Sequence, residues 1–165
     1  MRGLDMARLN FWTKSPTLRR SVIHSARTAV AATASLVVAR LFRLPEAYWA
    51  SITTLIVMQS TLGATLTISG HRFAGTALGA TIAVLVVTGF RPSPIIFGAA
   101  IFGIGLVCAV LRLDRAAYRF AGITLAIILL VARPQPVWIV AAHRFVEVSI
   151  GIAVGLILSA VWPGG

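Results

Sequence analysis

Charged residues are scarce in this sequence, and acidic residues are the scarcest. Of the 165 residues only 12% are charged, and four Asp and Glu stand against fifteen Lys and Arg. A soluble domain carries roughly 25% charged residues. Hydrophobic residues make up 58% of the chain and the mean hydropathy is +0.92, which is more apolar surface than a soluble fold of this length can hide. The composition therefore argues against a soluble enzyme and predicts an integral membrane protein.

The residues that carry most enzyme chemistry are also few. There is one cysteine, Cys108, and it lies inside an apolar run, so neither an intrachain disulfide nor a metal-ligand spacing can be built from cysteines. No Walker-type phosphate-binding loop is present, so the chain does not drive a reaction by binding ATP itself. We expect no cofactor, no metal and no catalytic residues. Any driving force must come from an ion gradient, a substrate gradient or a partner.

The net charge of +11 would suggest a nucleic-acid partner in a soluble protein. Here the basic residues do not form a patch with interleaved aromatics. They stand between apolar runs, as Arg91 and Arg133 show. Basic residues in such places set membrane topology and meet anionic headgroups. We therefore predict membrane lipids, and not nucleic acid, as the partners of the basic residues.

Six apolar runs are separated by charges and turn residues, and none alternates with the period of a strand. The predicted helices are residues 26–42, 47–58, 73–90, 94–111, 120–132 and a stretch within 137–161. The second and fifth runs are shorter than the ~20 residues that a full span needs. The second could be extended through residue 69, and the fifth could start near Ala116. The fold class is thus an all-α membrane protein with six transmembrane helices in a module of residues 26–162.

Residues 1–25 mix basic and apolar side chains, which favours a basic amphipathic segment on the membrane surface, with a disordered basic tail as the alternative. With an inside N-terminus, five basic residues fall on the outer side, namely Arg40, Arg43, Arg91, Arg133 and Arg144, and the other ten of the fifteen fall on the inner side. The excess of positive charge inside predicts that both termini face the cytoplasm.

Short sequence matches link the two halves of the chain. Arg43-Leu44 followed by Ala47-Tyr48 matches Arg112-Leu113 followed by Ala117-Tyr118, and His71-Arg72-Phe73 matches His143-Arg144-Phe145. Because each half contains three helices, the second half crosses the membrane in the opposite orientation to the first. This is the inverted-repeat arrangement of many secondary transporters. Chance similarity in a biased composition is the alternative.

Residues 45–79 carry a more specific pattern. It consists of Pro45-Glu46-Ala47-Tyr48-Trp49-Ala50, Leu55-Ile56-Val57-Met58-Gln59, Leu62-Gly63-Ala64-Thr65, Arg72 and Gly75-Thr76-Ala77-Leu78-Gly79. This pattern resembles the fusaric acid resistance and aromatic acid exporter family, and the likeness covers roughly residues 24–162. The resemblance implies a six-helix module in the bacterial inner membrane that exports aromatic carboxylic acids and similar compounds. Larger members carry a soluble cytoplasmic region, and some carry two modules.

Two groups of polar residues are candidates for a site. Residues 59–65, with Gln59 and Thr65, either form a helix break that binds substrate or an ordinary cytoplasmic turn. Arg72, expected at the start of the third helix, could attract an anion or anchor the topology. Tyr48 and Trp49 could stack on an aromatic substrate or belong to the interfacial belt.

The sixth helix carries the other candidates. Glu147 lies about one turn from His143 and Arg144, so the three share a face that could couple transport to protons or could hold an internal ion pair. Gly75 and Gly79 in the third helix, and Gly151 and Gly155 in the sixth, have the spacing that lets membrane helices approach closely.

The sequence as a whole predicts an inner-membrane exporter module for small organic anions, working as a homodimer because a dimer supplies twelve helices and a shared path. A passive anion channel of the same fold is one alternative. A non-transporting membrane subunit that needs a partner is another.

Overall fold

The computed structural model describes residues 16–131 and 134–162. In these residues every regular element is a helix and there is no strand, which confirms the all-α prediction. Six helices follow one another: α1 (Pro16–Leu41), α2 (Tyr48–Val57), α3 (Leu62–Gly89), α4 (Pro94–Val110), α5 (Arg115–Leu130) and α6 (Val137–Val161).

Three of the helix starts are fixed by a capping side chain. The Thr61 hydroxyl accepts a hydrogen bond from the Ala64 N–H at the start of α3, and Ser93 does the same for Ile96 at the start of α4. The Asp114 carboxylate accepts the Ala116 N–H at 2.8 Å. Each cap satisfies one of the N–H groups that a helix leaves unpaired in its first turn.

One possible extension does not occur, and one predicted boundary is wrong. Helix α2 ends at Val57 and does not continue through residue 69, because Thr61 caps a new helix. Helix α3 therefore begins eleven residues before Phe73, and Arg72 lies inside it instead of opening it. The charged pair before Phe73 suggested a boundary, but burial of Arg72 lets the helix run through it.

The first helix also starts earlier than predicted, at Pro16 instead of residue 26. Residues 16–25 of the predicted amphipathic segment thus continue into α1, while residues 1–15 lie outside the described part of the chain. The division into a surface segment and a membrane module stays a prediction.

Three of the helices are long and apolar enough to cross a membrane, namely α1 from Leu18, α3 and α6. Helix α2 has ten residues, so it is ~15 Å long, about half the thickness of the hydrocarbon core. Helices α4 and α5 have 17 and 16 residues and reach ~25 Å. Length and composition therefore establish three candidate spans.

Helices α3 and α6 form the centre of the molecule and pack against each other. Helix α5 packs on α3, and α2 packs on α6, while α4 and α1 lie outside them. The helices approach each other most closely at glycine residues. A Cβ atom at Gly79 would overlap the Ala121 carbonyl of α5, and one at Gly151 would overlap the Ala50 carbonyl of α2. The glycine pairs of α3 and α6 therefore pack helices within one chain.

Each hairpin turn meets the interior of a central helix. The Glu46 N–H, between α1 and α2, donates to the Glu147 carboxylate at 3.1 Å, about 15 Å along α6. Asp114, between α4 and α5, lies 3.9 Å from the His71 imidazole, about 14 Å along α3. Both turns thus contact the interior of a long helix, the first through a backbone N–H and the second through a carboxylate.

The two turns share an unusual backbone. Arg43 and Arg112 have φ values of 54° and 53°, in the left-handed region. In each turn the next leucine donates its N–H to a carbonyl five residues earlier, from Leu44 to Ala39 and from Leu113 to Cys108. These bonds are the long bonds of a Schellman helix end, a motif that usually carries glycine at the left-handed position.

Candidate functional site

The side chain of Arg72 is a buried charge in the middle part of α3. It is 1% exposed, and its guanidinium carbon lies 4.8 Å from the centre of the Phe120 ring on α5. Its Nε and Nη1 have no hydrogen-bond partner among residues 16–131 and 134–162. Because a guanidinium keeps its charge in a protein, these are buried cationic donors.

Two hydroxyls extend this group along the same helix. Ser69 and Thr76 lie three residues before and four residues after Arg72, so they share its face of α3. Both are buried, and neither hydroxyl has a hydrogen-bond partner in the described segments. A row of polar groups without partners within helix α3 is suited to holding a polar ligand.

A second arginine is built into the other half of the molecule. Arg144 on α6 is 2% exposed, and its guanidinium carbon lies 3.4 Å from the centre of the Trp49 ring on α2. Unlike Arg72, it has an acidic neighbour in reach, because its Nη1 is 3.7 Å from Oε2 of Glu147. Glu147 is itself 1% exposed, so this is a buried ion pair.

A cavity of about 240 Å³ opens beside this pair. Its lining includes Glu46 from the turn between α1 and α2, Gln135 from the loop before α6, and His143 on α6. The three residues predicted for proton coupling, His143, Arg144 and Glu147, therefore line one cavity.

The two arginine sites correspond by position as well as by chemistry. Arg144 follows Arg72 by 72 residues, and Phe120 follows Trp49 by 71. Arg72 in the first half contacts the ring of Phe120 in the second half, and Arg144 in the second half contacts the ring of Trp49 in the first half. The residue that matches Glu147 at the same spacing is Gly75. A side chain there would overlap the Ala117 carbonyl, so the first site holds no acid at that position.

The remaining predicted residues lie apart from one another. Gln59 lies in the turn between α2 and α3, where its amide donates to the Ile56 carbonyl and its N–H donates to the Thr65 hydroxyl. Thr65 is about 10 Å along α3 from Arg72. Tyr48 is 49% exposed and its ring lies 5.5 Å from that of Trp49. The structure therefore brings Trp49 to Arg144 and leaves Gln59 and Thr65 near one end of the bundle.

Arg27 and Phe120 were not predicted. Arg27 is 1% exposed and donates to the backbone carbonyls of Gln59 and Trp162, which lie at the ends of α2 and α6. A charge inside a predicted span is a signal for such a role, and it was available in the sequence. The match of Ala47-Tyr48 with Ala117-Tyr118 aligns Trp49 with Arg119, so the sequence carries no signal for Phe120.

The sequence matches the fusaric acid resistance protein-like family over residues 32–158, which is most of the chain. The chain belongs to this family. The family assignment confirms the resemblance and, with three helices of spanning length, makes the chain a multi-pass membrane protein.

Two curated relatives are bacterial membrane proteins. The uncharacterized transporter YdhK of Salmonella typhimurium is 30% identical over 149 residues, which are 85% of this chain and 22% of that protein. The inner membrane protein YeeA of Escherichia coli is 26% identical over 149 residues, which are 86% of this chain and 41% of that protein. The chain thus spans less than half the length of these relatives.

Proposed function

We propose that this chain is the membrane module of a non-enzymatic inner-membrane exporter for small organic anions such as aromatic carboxylic acids. The observation that carries the proposal is Arg72, a buried cation with two unused donors and an aromatic ring against it. Family membership and the names of the two relatives support transport in the inner membrane.

Burial of the Arg72 guanidinium is the physical reason to expect an anionic ligand. Removing a charge from water costs several kcal/mol unless a partner compensates it. No carboxylate among the described residues lies within 4.0 Å of the Arg72 guanidinium, so we infer that a transported anion supplies the compensation. A carboxylate suits the planar fork of arginine, and Ser69 and Thr76 add hydroxyl donors on the same face.

The architecture that we propose is two inverted three-helix repeats, α1–α3 and α4–α6, giving six membrane-embedded helices. Three matched features support it: the left-handed arginines of the two hairpin turns, the two arginine–aromatic contacts, and the glycine contacts of α3 with α5 and of α6 with α2. With three helices per half, the excess of basic residues favours both termini in the cytoplasm.

Two further elements of the proposal concern assembly and coupling. We propose a homodimer, since one small module encloses little space, and mass measurement in native lipid should give two copies. A monomer with full transport activity would argue against the dimer.

We also propose that movement of the anion across the membrane is coupled to protons through Glu147, with His143 and Arg144 beside it.

The deciding experiment is flux of aromatic carboxylates into liposomes that contain the purified chain alone. We expect saturable flux, and an Arg72→Gln variant should raise the half-saturating concentration roughly tenfold to a hundredfold, which corresponds to ~1.5–3 kcal/mol for a lost charged hydrogen bond. Arg20→Gln, at an exposed arginine of α1, is the matched control and should transport normally.

The outcomes separate the alternatives. Flux that responds to a proton gradient supports an exporter, and flux that follows only the anion gradient indicates a channel. A chain that inserts correctly but transports nothing by itself indicates a subunit that needs a partner. An unchanged half-saturating concentration in the Arg72→Gln protein removes Arg72 from substrate binding.

A further inference from the structure

The two arginine sites differ in one respect that has a chemical meaning. Both guanidinium groups are buried against an aromatic ring, Arg72 against Phe120 and Arg144 against Trp49. Within residues 16–131 and 134–162, only Arg144 has a carboxylate in reach, that of Glu147 at 3.7 Å. The matching position in the first site is Gly75, which has no room for a side chain.

We propose that Arg144 forms a second carboxylate-binding site, in which the Glu147 carboxylate is a built-in ligand. When Glu147 takes up a proton, a small external carboxylate displaces it from Arg144. The inference rests on the proposed function in two respects, namely that Arg72 binds a carboxylate and that the external carboxylate is the exported substrate. The site itself follows from the match between the two arginines.

The cavity gives an external ligand a place to bind. It measures about 240 Å³ and borders both members of the ion pair, and it is several times the ~30 Å³ that one water molecule occupies in the liquid. Glu147 is held in its present place by the Glu46 N–H at 3.1 Å. Its carboxylate therefore sits between the cavity, the turn and the guanidinium.

The exchange conserves charge. A hydronium ion from the solution gives a proton to the Glu147 carboxylate and becomes water; the carboxyl group is then neutral, while Arg144 keeps its positive charge. An incoming carboxylate then restores the same net charge to the site. One proton and one anion thus bind at the site together, and its net charge is the same before and after the exchange. The other titratable groups that face the cavity in the described part of the chain are Glu46 and His143, and the test must separate them from Glu147.

Trp49 provides a direct readout. The chain contains four tryptophans, and replacing three of them (Trp12→Phe, Trp138→Phe and Trp162→Phe) leaves the ring that contacts Arg144 as the reporter. We would titrate this full-length chain in detergent with para-nitrobenzoate, a carboxylate that quenches tryptophan fluorescence, and with para-nitrobenzyl alcohol, which lacks the carboxylate.

In the Glu147→Gln form of this protein we expect para-nitrobenzoate to quench Trp49 at neutral pH with at least tenfold higher affinity than when Glu147 is present. Adding Arg144→Gln should abolish the gain, and the alcohol should show none. With Glu147 intact, affinity should be higher at about pH 5 than at about pH 8, because protonation of Glu147 releases Arg144. This rise should persist in a His143→Gln protein and in a Glu46→Gln protein.

The pH titration keeps the test valid if Glu147→Gln does not fold. An affinity that is the same at both pH values with Glu147 present, or a gain that survives Arg144→Gln, overturns the second site. Loss of the pH effect in His143→Gln overturns the assignment to Glu147. Arg72→Gln should leave the Trp49 signal unchanged. Quenching at Trp49 without flux in liposomes would reject the proposed export function alone, and normal flux without quenching would reject the second site alone.

Discussion

The rings of Phe73 and Phe145 are in contact, with centroids 4.9 Å apart and planes tilted by 58°. Each ring follows a His-Arg pair, so the two matched tripeptides meet where α3 and α6 pack. A tilted aromatic contact of this kind contributes ~0.5–1.5 kcal/mol beyond the area it buries. From this contact the adjacent arginines diverge, Arg72 to the ring of Phe120 and Arg144 to that of Trp49.

Enlarging Gly79 should destabilise the packing of α3 on α5. In Gly79→Val the new side chain overlaps the backbone of Ala121, which cannot rotate away, so we expect a loss of ~1–3 kcal/mol or more from overpacking. Thermal unfolding of the purified protein in detergent measures the effect. Gly70→Val is the matched control in the same helix, because a Cβ there meets nothing within 4 Å. Equal melting temperatures for the two variants would contradict the α3–α5 contact.

Removing the Arg27 side chain should loosen one end of the bundle. Arg27→Leu leaves the carbonyls of Gln59 and Trp162 without their donor, and an unsatisfied buried acceptor costs ~1–3 kcal/mol. We expect a lower melting temperature, together with faster hydrogen exchange at the ends of α2 and α6. Arg19→Leu changes an exposed arginine of the same helix and should melt like the unaltered chain. Exchange that is unaffected in the Arg27 variant would show that these contacts do not hold the helix ends.

Transport should depend on pH through Glu147. As the pH falls, protonation neutralises the carboxylate and releases Arg144, so flux should be faster in acid than in alkaline buffer. Glu147→Gln carries a permanently neutral side chain and should show the fast rate at every pH. His143→Gln is the control, because the imidazole of His143 lines the same cavity. A flat profile in the histidine variant, with an unchanged profile in Glu147→Gln, would assign the pH response to the imidazole.

Reporter fusions test the predicted topology. A cytoplasmic reporter fused at Gly165 should be active, and the same reporter inserted between Pro92 and Pro94 should be inactive, because the bias of basic residues places the two sites on opposite sides. A periplasmic reporter should give the reverse pattern. Periplasmic activity at Gly165 would overturn the orientation of both termini.

Local chemistry made several parts of the fold predictable. The shortage of charge and the length of the apolar runs indicate a helical membrane protein before any contact is known. The bounds of α6, predicted within 137–161, agree with Val137–Val161, because a proline precedes the helix and another follows it. Helix α4 begins at Pro94 as predicted, since Ser93 caps it.

The tertiary structure decided what the polar residues inside the helices do. The pair His71-Arg72 reads locally as a helix boundary, yet it lies inside α3 because Arg72 is buried against Phe120 from another part of the chain. Sequence placed Glu147 one turn from Arg144, but the contact of Arg144 with Trp49 joins residues almost a hundred positions apart. Sequence by itself determined that the chain enters the membrane and where most helices end, since those properties depend on neighbouring residues. Helix packing decides which buried charge has a partner. Packing brings together residues that are far apart along the chain, and their separation in the sequence does not show that they are in contact.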